Sequence, residues 1–418
     1  MGTYRMKAAL VKSAGTSSSH RRGGNKLKAC LAVLVVIVLP TSVSVLKAAP
    51  NQAGALQMVA IDVEGSGGTL FVTPEGHSVL IDAGNPEVNR QTGNHPSSER
   101  IAAAAQKLGV KKIDYLIITH FHVDHVGGLE PLLTRMPVGT FIDHGENREV
   151  VGTQLAGGGI IDGVGRLVPP ADAPAAGAGS TGGPAANAAP RKSTADFYAD
   201  YVRLIGNHTH VVAEPGYTFT VDGMNIRVIA ADAKAIDKPL AGAGKANSFC
   251  ENMPGMPSNN GEENARSIAS VITYGKTKIA VFGDLTWDRE KDLFCPNDKV
   301  GKVDVYLASH HGSYWSGSPA MVNSLQPIVT IMGNSPTKGD DPERAKTIEA
   351  NPRFQTMWQL HASRTDPQIN VAPDMIANPD PDSAKDDRYN LRVQITKDGD
   401  ITVINERNNF TKTYKAGH

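Results

Sequence analysis

The chain has 418 residues, with 42 basic and 42 acidic side chains, 40% hydrophobic residues, 20% charged residues and 3 cysteines. This balance excludes a disordered polyelectrolyte, which would combine low hydrophobicity with a large net charge, and a small disulfide-framed protein, which would be short and rich in cysteine. The chain is therefore globular and long enough to bury a sizeable core. Its 42 glycines and 26 prolines indicate many turns and long loops.

Residues 1–49 differ in composition from the rest of the chain. They contain eight basic and no acidic side chains, and an apolar run from Ala29 to Leu39 is followed by Pro40 and small residues. A basic start, a short apolar run and small residues are typical of a signal peptide. A retained N-terminal membrane anchor is the alternative. We therefore predict an exported protein, periplasmic or extracellular, which meets the membrane only through this segment if it stays uncleaved.

The first part of residues 50–418 predicts strands joined by tight turns. Short apolar segments alternate with Gly- and Pro-containing turns, a pattern typical of consecutive antiparallel strands. An alanine-rich segment closed by Gly109 predicts a helix. The predicted elements are strands Leu56–Val63, Thr69–Val72, Ser78–Asp82 and Ile113–Thr119, a helix over Ile101–Leu108 and a helix that begins near Gly128.

A low-complexity segment interrupts this pattern. Residues 171–190 contain 16 Ala, Gly or Pro residues and no apolar periodicity, so we predict a disordered insertion near 152–193 without catalytic residues. Strands and helices then resume. We predict strands Thr209–Ala213, Tyr217–Val221, Asn225–Ala230, Ser267–Tyr274, Lys278–Gly283, Val303–Ser309, Ile328–Met332, Leu391–Thr396 and Ile401–Asn405, and helices Thr194–Ile205, Thr286–Phe294, Pro319–Leu325 and Pro342–Ala350.

The order of these elements predicts a layered α/β fold. Two strand-rich halves, each with intervening helices, favour two sheets packed face to face with helices outside. A doubly wound α/β fold is the other option, but antiparallel turns are too frequent for it. Residues 50–418 are then one domain.

One short segment concentrates residues that bind metals. In Thr119-His-Phe-His-Val-Asp-His125, three histidines and an aspartate follow an apolar strand, and Gly127 and Gly128 come next. Alternate side chains of an extended turn point to the same side, so His120 and His122 face one ion while Asp124 and His125 face another. Imidazole and carboxylate ligands suit Zn²⁺ or a similar first-row divalent ion. We expect the two glycines to let the backbone turn tightly below the ions.

Further motifs accompany this HxHxDH segment. They are Ile61-Asp-Val63, Val79-Leu-Ile-Asp-Ala-Gly84, Asn264-Ala-Arg-Ser267, Val281-Phe-Gly-Asp284 with Glu290 after it, and Ser309-His-His-Gly-Ser313. With them the chain resembles the metallo-β-lactamase superfamily, whose fold is an αββα sandwich. The resemblance extends over most of residues 56–335, and its details are similar to the hydrolase domain of DNA-uptake competence channel proteins, in an exported standalone form. Residues from about 336 form a C-terminal extension that the resemblance does not cover.

The resemblance assigns further residues to the site. Asp284 matches the carboxylate that bridges two metals. His311 matches the last metal-binding histidine, and His310 then faces the substrate as an acid or hydrogen-bond donor; the reverse order of this pair is the alternative. The resemblance also suggests that Asp82 supports the ligands from behind.

One position departs from the superfamily pattern. Where most members have another metal-binding histidine, about twenty residues before the bridging aspartate, this chain has Asn264. The departure puts full occupancy of the first metal site in doubt. His208 and His210 are alternative donors that we interpret as surface or strand residues, and His144 lies at a strand end within possible reach of the site.

These residues predict a metal-dependent hydrolase. The cofactor is Zn²⁺, as one or two ions, with Mn²⁺ as the alternative. Asp124 and His310 are the predicted catalytic residues, and the predicted substrate is a phosphodiester or a phosphorylated small molecule. A carboxylic ester, lactone or β-lactam hydrolase is the first alternative, and a non-catalytic binding module of the cell envelope, suggested by Asn264, is the second.

Charge and cysteine content refine this prediction. Without residues 1–49 the chain carries 34 basic and 42 acidic side chains, a formal charge of −8. An acidic protein is a poor partner for extended nucleic acid, which favours a small substrate. Cys250 and Cys295 remain in this part, and in an oxidising compartment they form either a disulfide or two unconnected thiols.

Overall fold

The structure is a computed structural model that describes residues 54–86, 96–149, 160–161, 167–168, 192–251, 263–380 and 388–417. The segment 1–49 lies outside these residues, and so does the predicted insertion apart from two short strands and its last two residues. The signal peptide and the disordered insertion therefore stay predictions. No helix in the described ranges combines the length and the apolar character that a bilayer span needs.

Strands make up most of the regular structure. Short segments of Val, Ile, Leu and Thr bounded by turns form them, as β-branched side chains favour extended backbone. In the described part of the chain they are β1 (Leu56–Ala60), β2 (Thr69–Val72), β3 (Ser78–Ile81), β4 (Ile113–Ile117), β5 (Val138–Asp143), β6 (Ile160–Ile161), β7 (Leu167–Val168), β8 (Thr209–Val212), β9 (Thr218–Val221), β10 (Met224–Ala231), β11 (Lys234–Ala235), β12 (Ala269–Tyr274), β13 (Thr277–Val281), β14 (Val305–Leu307), β15 (Val329–Met332), β16 (Thr356–His361), β17 (Ile376–Asn378), β18 (Leu391–Ile395), β19 (Asp400–Asn405) and β20 (Thr411–Lys415).

Seven α-helices lie in the same described ranges. Several begin at a side-chain cap: Ser193 accepts the Asp196 N–H in a capping box, and Asp341 accepts two N–H groups at the start of the last helix. The helices are α1 (Ser97–Lys107), α2 (Val123–Val126), α3 (Leu129–Arg135), α4 (Thr194–Ile205), α5 (Trp287–Phe294), α6 (Pro319–Leu325) and α7 (Pro342–Glu349).

The strands form two large sheets. The first has the order β20-β19-β18-β1-β2-β3-β4-β5-β8, and the second has the order β11-β10-β12-β13-β14-β15-β16-β17, with β9 paired to β10. Each sheet is antiparallel in one part and parallel in another: β3, β4, β5 and β8 run parallel in the first sheet, and β13 to β17 run parallel in the second. The carboxyl ends of parallel strands meet at one edge of each sheet, where loops can bring distant residues together.

Three hydrophobic cores define the layers. One core contains side chains of both sheets, such as Met58 and Ile272, so the sheets pack face to face. A second core lies between the first sheet and helices α1, α3 and α4, and a third lies between the second sheet and helices α5, α6 and α7. The predicted two-sheet sandwich with outer helices is therefore confirmed.

The sequence predicted most of these elements to within a few residues. The predicted bounds of β2, α4 and α6 are those of the structure. Helix α1 begins earlier than predicted, at Ser97, and Gly109 follows it with a positive φ of 79°. Seven of the described strands were not predicted from the sequence: β5, β6, β7, β11, β16, β17 and β20.

The C-terminal residues belong to both sheets. From about residue 336, β16 and β17 extend the second sheet, while β18, β19 and β20 extend the first. Trp358 of β16 is fully buried, and its indole N–H donates to the Tyr414 hydroxyl of β20 at 3.0 Å. This stretch thus connects the two sheets across the shared core.

A disulfide joins Cys250 to Cys295, with the Cα atoms 5.7 Å apart. It connects the loop after β11 to the end of α5. Of the two arrangements that the sequence left open, the structure shows the bonded one.

Candidate metal centre

The candidate residues come from loops at the carboxyl ends of six strands. Asp82 follows β3, the HxHxDH segment follows β4, and His144 follows β5 in the first sheet. In the second sheet, Asp284 follows β13 and the His310-His311 pair follows β14. The loop after β15 reaches the same place. Residues that are far apart in sequence therefore meet at one edge of the sandwich.

The turn below the HxHxDH segment requires glycine for a different reason from the predicted one. Gly127 and Gly128 have ordinary φ values of −62° and −82°. A Cβ atom at Gly128 would lie 2.1 Å from the Ala83 carbonyl oxygen, and one at Gly127 would lie 2.3 Å from the Val123 carbonyl oxygen. The glycines therefore permit close packing of the backbone, and unusual dihedral angles play no part.

Four side chains form a compact cluster of metal-ligand atoms. Ligand atoms of Asp124, His125, Asp284 and His311 all lie within 4.8 Å of one another. His125 Nε2 is 3.3 Å from Asp284 Oδ2, and His311 Nε2 is 3.5 Å from Asp124 Oδ2. Ligands of a tetrahedral ion at about 2.0–2.2 Å lie about 3.3–3.6 Å from one another. The spacing of this cluster is that of ligands around a shared ion.

A second group of ligand atoms adjoins the first. His120 Nε2 lies 3.1 Å from His122 Nδ1 and 4.0 Å from Asp284 Oδ2. Asp284 thus lies beside both groups, as a bridging carboxylate would. This second group contains three candidate ligand side chains, whereas the first cluster contains four. The metal site that includes His120 and His122 therefore has fewer ligand side chains.

In the described part of the chain, the cluster has ionised carboxylates and ring nitrogens without hydrogen-bond partners, and both features suit a divalent ion. Burial disfavours charge here, yet neighbouring basic side chains hold the pKa of both Asp124 and Asp284 well below the usual range. Although burial opposes it, three carboxylates led by Asp284 raise the pKa of His125 well above its usual value, so a metal ion would displace a proton from this ring. Within the described residues, the buried Nε2 atoms of His125 and His311 form no hydrogen bond. Such nitrogens beside two carboxylates fit a first-row divalent ion.

Carboxylates hold two of the histidines from behind. His125 Nδ1 lies 2.7 Å from Asp82 Oδ2, and Asp82 also accepts the Thr119 N–H at 2.7 Å. His122 Nε2 lies 3.0 Å from Glu149 Oε2. Each contact fixes the ring so that its other nitrogen faces the centre. The suggested supporting position of Asp82 is where the structure places it, whereas Glu149 lies in no motif and was missed.

The position of the absent histidine is part of a buried polar network. Asn264 is buried in a short turn, Asn264–Arg266, and the preceding Glu263 accepts the Phe121 N–H and lies 2.9 Å from His144 Nε2. His144 therefore contacts Glu263 and belongs to neither ligand group. Ser267, at the end of the same segment, has its hydroxyl 3.4 Å from His120 Nδ1 and accepts the Asp284 N–H.

The His310-His311 pair lies in a strained turn. Both residues have left-handed backbone, with φ values of 53° and 59°, a conformation that is uncommon for non-glycine residues. His311 points into the four-residue cluster. His310 Nε2 lies 3.4 Å from Asp284 Oδ2, and burial lowers the pKa of His310 to about 4, so its ring is neutral at pH 7.

A lysine reaches the centre from the C-terminal stretch. The Lys338 ammonium contacts Asp124 Oδ2, although the two residues are 214 positions apart. Lys338 lies in the C-terminal stretch that the resemblance does not cover. No motif or spacing connects it to the histidines, so the contact depends on the fold.

His208, His210 and His361 belong to neither ligand group. His208 packs against Phe141, and His210 on the exposed strand β8 lies 2.6 Å from Asp143 Oδ2. His361 is buried, with Nε2 2.7 Å from Asp62 Oδ1. Asp62, Glu64 and His361 form another group of potential metal ligands. The Arg100 guanidinium, however, already pairs with Asp62 at 2.8 Å. This network is therefore structural.

A small cavity lies beside the ligand atoms. It measures about 60 Å³ and is bordered by His125, Asp284, His310 and His311, together with Gly67. A cavity of this size holds an ion and a few water molecules.

Comparisons with known proteins agree with this arrangement. The sequence profile of the metallo-beta-lactamase superfamily matches residues 64–216, which include the HxHxDH segment. No curated protein matches the chain.

Several solved structures are similar at low identity. The metallo-beta-lactamase fold protein YhfI from Bacillus subtilis is 11% identical over 73% of this chain and 96% of its own, with a TM-score of 0.37. Tm1679, a metal-dependent hydrolase of the beta-lactamase superfamily, is 13% identical over 73% of this chain and 95% of its own, also with a TM-score of 0.37. CmlA, a diiron beta-hydroxylase from Streptomyces venezuelae, is 13% identical over 72% of this chain and 50% of its own, with a TM-score of 0.33.

The matched segment contains four of the candidate ligand side chains, and the two sheets with their outer helices form the four layers that the resemblance implied. Taken together, the profile match and these layers show that the chain has the metallo-beta-lactamase superfamily fold.

Proposed function

We propose that this protein is a metal-dependent hydrolase that acts on a phosphodiester or on a phosphorylated small substrate. The observation that carries the proposal is the convergence of Asp124, His125, Asp284 and His311, with buried ring nitrogens directed at a shared point. The substrate class is supported by the similarity of the Val281–Asp284 and Ser309–Ser313 motifs to the competence-channel hydrolase domain.

The chemistry follows from the ligand set. A divalent ion held by imidazole and carboxylate groups lowers the pKa of a coordinated water to about 7 and so provides a nucleophile at neutral pH. We assign Zn²⁺ as this ion, with Mn²⁺ as the alternative, because the donors are nitrogen and oxygen. Asp124 would help to hold the ion and orient a water beside it, and Asp284, which lies beside both ligand groups, would contribute a carboxylate to each.

His310 has a different role from its neighbour in this proposal. Its ring is neutral at pH 7 and lies on the side of Asp284, beside the Ser316 hydroxyl at 3.4 Å. A neutral imidazole donates a hydrogen bond but is a poor proton donor. We therefore propose that His310 binds an oxygen of the substrate, and that a water protonates the leaving group.

Metal removal tests the proposal directly. Treatment with EDTA should abolish hydrolysis of bis-p-nitrophenyl phosphate, and added Zn²⁺ or Mn²⁺ should restore it. Asp284→Ala should lower kcat/KM by about 100-fold or more, because both ligand groups lose a carboxylate. His208→Ala, which changes an exposed histidine outside the centre, is the matched control and should retain full activity.

Other results select another function. Activity that resists chelation would sink the metal mechanism. Hydrolysis of nitrocefin or a carboxylic ester without phosphodiester turnover would identify an acyl hydrolase instead. Less than one tightly bound ion per chain, with no activity on added metal, would favour a binding module, which is the function that Asn264 suggests.

We also propose that residues 1–49 direct export of the chain. The support is their basic and apolar composition. N-terminal sequencing of the protein from the periplasmic and culture fractions should find a start near residue 50. A full-length chain in the cytoplasm would contradict export, and a full-length chain in the membrane would identify an anchor.

A further inference from the structure

Lys338 is a cation at the entrance to the metal centre that the hydrolytic chemistry above does not use. Its ammonium contacts Asp124 Oδ2, which is one of the four clustered ligand atoms. The side chain is 32% exposed, whereas the histidines of the cluster are nearly fully buried. Lys338 therefore lies on the solvent side of the centre, where its ammonium can contact a substrate that approaches the ligand atoms.

The loop that carries Lys338 is built to hold it in place. The Ser335 N–H donates to the Lys338 carbonyl at 3.0 Å, which closes a turn. Gly339 follows with a φ of 83°, and a Cβ atom there would lie 2.0 Å from the His311 carbonyl oxygen. Only glycine permits this approach. The backbone next to Lys338 is thus packed directly against the turn that carries His311.

A second anchor lies on the other side of this loop. The Asp341 N–H donates to the Gly312 carbonyl at 2.9 Å, next to His311. The Asn334 side chain donates to Asp340 Oδ2 at 2.8 Å and to the His361 carbonyl at 2.7 Å. The loop is therefore fixed both to the turn of the histidine pair and to β16, so the position of Lys338 is set by the fold.

The charges around Lys338 call for an anion once a metal is bound. Asp124 Oδ2 is both a candidate metal ligand and the atom that the Lys338 ammonium contacts. A bound divalent ion and the ammonium would therefore lie side by side, and like charges a few ångströms apart repel each other in a partly buried site. A negatively charged group between the ion and the ammonium removes this repulsion. An ammonium is a common point-charge partner of phosphate.

We propose that Lys338 binds the anionic phosphoryl group of the substrate. This inference rests on the proposed function and specifies it, because it makes negative charge on the substrate a requirement and names the residue that recognises it. A neutral ester would offer the ammonium no negative charge.

Binding of inorganic phosphate to the metal-loaded protein tests this proposal without turnover. Calorimetry should show that Lys338→Gln weakens phosphate binding about tenfold or more, because the charge-assisted contact is lost. Lys338→Arg retains the charge and should stay within about threefold of the wild type. Lys346→Gln removes an exposed ammonium that pairs with Glu343 on α7 and should change nothing. Metal content is measured for every variant beforehand.

Three outcomes would overturn the proposal. Unchanged phosphate affinity in Lys338→Gln would show that the lysine is only the ion-pair partner of Asp124. Loss of metal from that variant would show that Lys338 acts on the ligand. Equal weakening of acetate binding would show that the site recognises any small anion and has no phosphoryl preference.

The same experiments separate this inference from the proposed function. Lysine-dependent phosphate binding in a protein that hydrolyses no phosphodiester would refute the hydrolase and leave the anion site standing. Phosphodiester hydrolysis with normal phosphate binding in Lys338→Gln would do the reverse.

Discussion

Each histidine of the HxHxDH segment meets a different partner on the ring nitrogen that faces away from the centre. His125 faces Asp82, His122 faces Glu149, and His120 Nδ1 lies 3.1 Å from the Thr119 hydroxyl. A carboxylate partner fixes the tautomer and increases the basicity of the ligand nitrogen, whereas a hydroxyl only orients the ring. His122 and His125, which each contact a carboxylate, would therefore bind a metal ion more strongly than His120.

Asp82 provides the clearest test at this scale. Asp82→Asn should weaken metal binding about 10- to 100-fold, because His125 loses the carboxylate that orients it and increases its basicity. Competition with a chelator of known affinity measures the effect. Asp222→Asn, at a carboxylate that pairs with the exposed His77, is the control and should leave metal affinity unchanged. Equal affinity in both variants would mean that Asp82 is only a turn residue.

The ligand residues could be proposed from sequence because they are concentrated in one short segment and two short motifs. Their partners could not. Glu149, Glu263 and Lys338 belong to no motif, and each comes within contact distance only after the strands have brought their loops to one edge. Long-range contacts of this kind leave no local pattern in the chain.

At the scale of elements, helix α5 fixes the loop that leaves the histidine pair. Both oxygens of the buried Glu290 side chain accept backbone N–H groups, from Gly317 at 2.7 Å and from Ser318 at 2.8 Å. These two bonds hold the segment that connects His311 to α6. A helix on the outside of the sandwich thus controls the shape of a loop at the metal centre.

Glu290→Gln should destabilise this loop. One side-chain amide N–H₂ would then face a backbone donor, which leaves a buried N–H unsatisfied and lowers the free energy of unfolding by about 1–3 kcal/mol. Urea denaturation measures this change, and phosphodiester turnover should fall with it. Glu349→Gln, at the exposed end of α7, is the matched control. A Glu290→Gln variant as stable as the control would show that the two hydrogen bonds are dispensable.

Two of the strands that the sequence did not predict, β16 and β20, lack the uninterrupted apolar run that identified other strands. Strand β16 is buried along its whole length, yet it contains Gln359 and His361, which pair with buried polar groups. Strand β20 is mostly exposed and polar. An apolar run identifies neither strand, because their stability depends on partners in the folded chain.

At the scale of the whole molecule, a buried network connects three layers. Asp62 follows β1 in the first sheet, pairs with Arg100 of α1 at 2.8 Å and lies 2.7 Å from His361 of β16 in the second sheet. Although burial opposes it, His361 and Arg100 lower the pKa of Asp62 to about 2. A carboxyl group with a depressed pKa stabilises the fold above pH 3.8, and this stabilisation is lost as the pH falls through about 2.

Asp62→Asn should therefore lower the free energy of unfolding by about 3 kcal/mol at pH 7, since a buried cation loses its partner. The difference from the wild type should narrow between about pH 4 and pH 2, where the native carboxylate becomes protonated. Urea unfolding over this pH range measures it. Asp398→Asn, in the exposed turn between β18 and β19, is the control. A constant difference at all pH values would show that the charge of Asp62 contributes nothing.

The two-sheet architecture itself was predictable, because turn spacing and strand composition both indicate it. The role of the C-terminal stretch was not. Nothing in the composition of residues 391–417 shows that their strands belong beside β1, at the opposite end of the described chain.

That placement has a consequence for how the molecule forms. Strand β1 lies between β2 and β18, and its residue Gln57 contacts Arg392, 335 positions later. One side of β1 therefore stays uncovered until β18, more than 300 residues later, has been synthesised. Pairings between such distant segments make folding slow and leave apolar strand edges open in the meantime. The newly made chain thus depends on β18, β19 and β20 to complete its first sheet.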